Sequence, residues 1–88
     1  MIQILTIENE KGLHARASAK FVETVESFDA QAQVTKDGMT VAGNSIMGLM
    51  MLAASKDCQI EVETTGEQEA SLGAAIKALL AGYFGEAK

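Results

Sequence analysis

Two hydrophobic periods alternate along the chain. Ile2 to Ile7 is rich in β-branched residues and predicts a first strand, but its apolar side chains fall on both parities and leave the inward face open. From Ala15 to Phe28 the period changes: Phe21, Val22, Val25 and Phe28 share one helical face, with Lys20, Glu23 and Glu26 opposite. Ala30, Ala32 and Val34 then alternate with Gln31, Gln33 and Thr35. Asp37-Gly38 follows as a hairpin turn between this second strand and a third from Met39 to Gly43. Ser45 stands directly before an apolar run, as a helix N-cap does, and predicts a short helix to about Ala53. Ile60 and Val62 alternate with Glu61 and Glu63 in a fourth strand. Leu72, Ile76, Leu79 and Leu80 mark a last helix ending near Gly82.

The order is β-α-β-β-α-β-α. Strands apolar on one side only imply an α/β (α+β) open-faced sandwich: a four-stranded, mainly antiparallel sheet with three helices on one face. With 88 residues and 48% apolar content, residues 1–88 are expected to form one domain. Aromatics are only 5% of the chain, so the core must be aliphatic.

Composition removes several function classes. The net charge of −5 argues against nucleic acid or an anionic membrane surface as a general partner. The longest apolar run, Ile46 to Ala54, is short of the roughly 20 residues a membrane helix needs, and the N-terminus has no signal-peptide pattern, so a cytoplasmic protein is expected. The lone Cys58 offers neither a disulfide nor a CxxC pair, and reads as a small half-buried apolar residue. A metal chaperone of this size would need paired cysteines or histidines, which the chain lacks, so neither metal nor cofactor is expected.

The distribution of charge changes the picture more than its sum. No acidic residue occurs between Glu10 and Glu23, nor between Asp37 and Asp57. The first window holds Lys11, Arg16 and Lys20 around the only histidine, His14, at the start of the first helix. Free amides and the positive dipole end of that helix stabilise a nearby anion by about 0.3–1 kcal/mol. Neutral imidazole is a good nucleophile near neutral pH, and the planar fork of Arg16 suits phosphoryl oxygens. The second window carries Ile46, Met47, Leu49, Met50, Met51 and Leu52 round nearly the whole circumference of a two-turn helix. A sheet buries one side of a helix, so some of these side chains should remain exposed as a docking surface.

Gly12-Leu13-His14-Ala15-Arg16 and Asn44-Ser45-Ile46-Met47-Gly48-Leu49 resemble the two signature segments of HPr, the histidine-containing phosphocarrier of the bacterial phosphotransferase system. Their spacing matches, and the resemblance covers essentially the whole chain. It implies that His14 accepts a phosphoryl group on Nδ1 from the phosphohistidine of an enzyme I charged by phosphoenolpyruvate. His14 then passes the group to an enzyme IIA component. Such a protein is a carrier in a relay rather than a stand-alone catalyst, and is expected to be a monomer without cofactor. Arg16 is implied as the phosphate partner, and Ser45 as the target of an ATP-dependent HPr kinase/phosphorylase. Partner contacts are implied at Ala15, Ala17, Lys20, Ile46, Met47 and Met50. The family usually has proline where this chain has Ala17; that departure resembles variants of regulatory, nitrogen-related branches rather than those of sugar transport. The alternative is a regulatory binding module acting through Ser45, against which His14 and Arg16 speak.

Overall fold

The computed structural model describes residues 1–87. Its elements are β1 (Ile2–Thr6), α1 (Ala15–Glu26), β2 (Gln31–Lys36), β3 (Met39–Ala42), α2 (Ile46–Met51), β4 (Gln59–Thr65) and α3 (Glu69–Ala81), with a 3-10 turn at Tyr83–Gly85. The strands form one sheet in the order β1-β4-β2-β3, and every neighbouring pair is antiparallel. Three helices cover one face, giving the α+β open-faced sandwich expected from the sequence.

Residue pattern and register agree. Val34 pairs with Val62, and both are fully buried, while Gln33 pairs with Glu63 on the bare face. The undecided strand resolves clearly: Leu5 and Ile7 enter the core, whereas Ile2 and Ile4 stand on the outer face, 61% and 56% exposed. Phe21 and Val25 of α1, Leu49 of α2, and Leu72, Ile76 and Leu80 of α3 meet these strands from above.

The helices are shorter than the apolar periodicity suggests, because their last turns tighten. Ser27 N–H bonds Thr24 O and Phe28 N–H bonds Val25 O, which ends α1 before Phe28. In α2, Leu52 and Ala53 bond back three residues in the same way. Ala53 then takes φ +53°, a left-handed conformation usual for Gly or Asn at a helix end.

The chain does not stop shaping the fold at Gly82. Tyr83 and Phe84 are both left-handed, with φ of 57° and 54°, a conformation costing roughly 1–2 kcal/mol each for a residue with a Cβ. The turn drives Phe84 wholly into the core, a burial worth about 1.5–3 kcal/mol. Lys20 Nζ donates to Phe84 O at 2.8 Å and holds the turn from outside. The two residues that follow, Gly85 and Glu86, are thereby brought back across the head of α1.

Candidate functional site

His14 occupies the N-cap position of α1 with extended backbone, φ −74° and ψ −179°, and its ring makes no capping bond to its own helix. Both sides of it are anchored. Leu13 is buried and its N–H bonds Ala54 O at 2.9 Å, while His14 O accepts from Ser18 N–H at 2.9 Å. Gly12 makes the approach feasible: its φ is +63°, and a Cβ there would run into the carbonyl of Ala54. Packing therefore fixes the backbone under the imidazole and leaves the ring at the surface, 28% exposed.

Around the ring lies an open recess of about 600 Å³ lined by Glu10, Lys11, His14, Arg16, Gly85, Glu86 and Ala87. Arg16 is exposed at this recess and forms no ion pair among the described residues. The first amides of α1 have no intrahelical partner and face its N-terminal end. His14, Lys11, Arg16 and the helix head thus meet at one place, an arrangement suited to a transferred anion.

The sequence window free of acids is not free of them in space. Glu86, 72 residues away, sets Oε2 2.5 Å from His14 Nε2. Its other oxygen accepts from Asn9 Nδ2 at 3.1 Å, and the same Asn9 nitrogen donates to Gly12 O at 2.9 Å. Asn9 is buried, and its Oδ1 has no partner among the described residues. Burial tends to push the Glu86 carboxyl up, but hydrogen bonds from His14 and Asn9 and the charges of His14 and Lys11 hold it below the ordinary value. Neither Glu86 nor Asn9 figures in the motif reading. The faint signal was Phe84-Gly85-Glu86, an aromatic anchor, a hinge and an acid just past the last helix.

The expected docking patch divides. Met47 and Met51 are 73% and 65% exposed, Ile46 and Met50 less so, while Leu49 and Leu52 are buried. A second groove lined by Lys11, Leu13, His14, Met50, Ala53 and Ala54 joins this apolar surface to His14. Ala15 is also exposed. Ala17 must be corrected: it is fully buried, one turn before Phe21 on the core face, and presents no side-chain surface to a partner. Lys20 is half-buried, its ammonium engaged on Phe84 O. Ser45 caps α2 as expected, its Oγ accepting from Gly48 N–H at 3.0 Å.

Fold and recess together define the class, a small open-faced α+β sandwich with a histidine at the head of its first helix. The family model described as "PTS HPr component phosphorylation site" matches residues 2–82, and the chain belongs to that family, which serves phosphoryl transfer in the phosphotransferase system. Among its relatives, the phosphocarrier protein HPr of Neisseria meningitidis serogroup A is 52% identical over 84 residues, covering 96% of this chain and 94% of that protein. The phosphocarrier protein NPr of Escherichia coli K12 is 41% identical over 85 residues, covering 96% and 94%. A crystal structure of HPr from Thermoanaerobacter tengcongensis superposes with a TM-score of 0.94 at 35% identity, covering 100% and 99% of the two chains. No helix among the described residues is long and apolar enough to cross a membrane.

Proposed function

We propose that His14 is the phosphoryl acceptor of this carrier, that enzyme I charged from phosphoenolpyruvate is its donor, and that an enzyme IIA component is its acceptor. The observation that carries the reading is a partly exposed imidazole at the head of a twelve-residue helix, in one recess with Lys11 and Arg16. In the transfer, a ring nitrogen attacks phosphorus as the bond to the donor breaks. The amides of the helix head and the Arg16 guanidinium then stabilise the oxygens. Their support is modest, as a carrier requires: the group must be held and still released.

The exposed methionines of α2, continuous with His14 through Met50, are the surface on which both partners dock in turn. A kinase acting on Ser45 would place about −1.5 to −2 charges at the edge of that surface. Residues 1–88 act as one monomeric carrier unit in the cytoplasm. The test is incubation with labelled phosphoenolpyruvate and enzyme I. An acid-labile adduct is expected in the wild type and in Ser45→Ala, and none in His14→Ala. Label retained by His14→Ala overturns the assignment of the acceptor, and a wild type that takes up no label favours a module that works through Ser45.

A further inference from the structure

Among the described residues, the imidazole is gripped from one side only. Its Nε2 meets the Glu86 carboxylate at 2.5 Å, and that carboxylate is itself fixed through Asn9 to the Gly12 carbonyl, in the loop that delivers His14. The segment carrying Glu86 is no loose tail, being pinned by buried Phe84 and by Lys20. A carboxylate can only accept, so the short contact requires a proton on Nε2. With the ring neutral, that proton leaves Nδ1 bare, its lone pair directed away from Glu86.

We infer that Glu86 is a positioning residue for phosphoryl transfer: held by Asn9, it keeps His14 in the Nε2-protonated tautomer and so presents Nδ1 as the nucleophile. This rests on His14 being the acceptor. In the step, the Nδ1 lone pair forms the N–P bond while the bond from phosphorus to the donor's nitrogen breaks and that nitrogen takes the electron pair. The Nε2 proton is not transferred. It remains between ring and carboxylate, where Glu86 faces the positive charge that the ring acquires as its Nδ1 becomes bonded to phosphorus. The phosphoryl group, on the opposite ring nitrogen, points away from the carboxylate and toward the cationic side of the recess. Lys11 and Arg16 serve the anion, and Glu86 serves the ring.

The experiment uses the full chain with ¹⁵N-labelled histidine, reading the ring-nitrogen shifts of neutral His14 and the rate of phosphoryl uptake from phosphoenolpyruvate through enzyme I. Wild type should show the Nε2–H tautomer alone. Glu86→Ala should show both tautomers and take up the group roughly 10–100-fold more slowly, the scale of groups that orient a functional imidazole. Glu86→Asp, which keeps both acceptor oxygens on a side chain one methylene shorter, should recover part of the single-tautomer preference and part of the rate. An unchanged tautomer in Glu86→Ala, whatever its rate, overturns the inference. So does a mixed tautomer with unchanged uptake, or a Glu86→Asp protein whose ring shows less of the Nε2–H form than Glu86→Ala. Label persisting in His14→Ala would instead strike the assignment of the acceptor, an outcome these ring spectra do not share.

Discussion

Few side chains decide whether His14 stands where it does, and the least conspicuous has no side chain at all. Gly12 combines φ +63° with a backbone approach to Ala54 that no Cβ tolerates. Gly12→Ala should therefore lose about 1–3 kcal/mol, the range for a strained backbone position, read as a lower urea midpoint. Glu86 gives a second expectation, for pH. Its carboxyl lies below the ordinary 4.5, with hydrogen bonds from His14 and Asn9, the cations Lys11 and Arg16, and Glu10 as the other acid lining its recess. A carboxyl lowered in the folded state stabilises the fold above its unfolded value, and that contribution is lost as pH falls through the lowered folded one. The stability gap between wild type and Glu86→Gln should thus be open at neutral pH and close in acid, as paired urea titrations would show. His14 and Arg16 were legible from adjacency in sequence. Glu86 was not, because its contact spans 72 residues and depends on two left-handed residues that no periodicity announces.

Among the elements, α2 does most with least. Six residues make a marginal helix, so the cap at its head weighs heavily. Ser45→Ala should cost about 1 kcal/mol, measured by thermal or urea unfolding. Ser45→Asp should keep the cap and the fold while slowing phosphoryl uptake from enzyme I, since it adds charge beside the docking surface. The excess of apolar residues here was readable as exposure, because a helix lying on a sheet has only one dry side. Burial of Ala17 was also readable in principle. It precedes Phe21 and Val25 at four-residue intervals, and helical spacing puts it with the core rather than with Ala15 and Arg16. The first strand offered no such signal, since isoleucine on a bare sheet face looks the same in sequence as isoleucine in the core.

Across the whole molecule, the sheet separates a crowded side from a bare one. Val62→Ala, emptying a fully buried position between β1 and β2, should cost about 1.5–3 kcal/mol, the transfer of a buried valine. Ile4→Thr, on the outer face opposite Glu61, should change stability by less than about 0.5 kcal/mol, and one denaturation series comparing the two checks both. The one-sided layering also suits immobilisation. Gln33 and Glu61 project from the sheet surface that carries no helix, so a cysteine introduced at either could tether the carrier to a sensor chip with its imidazole left open to visiting proteins.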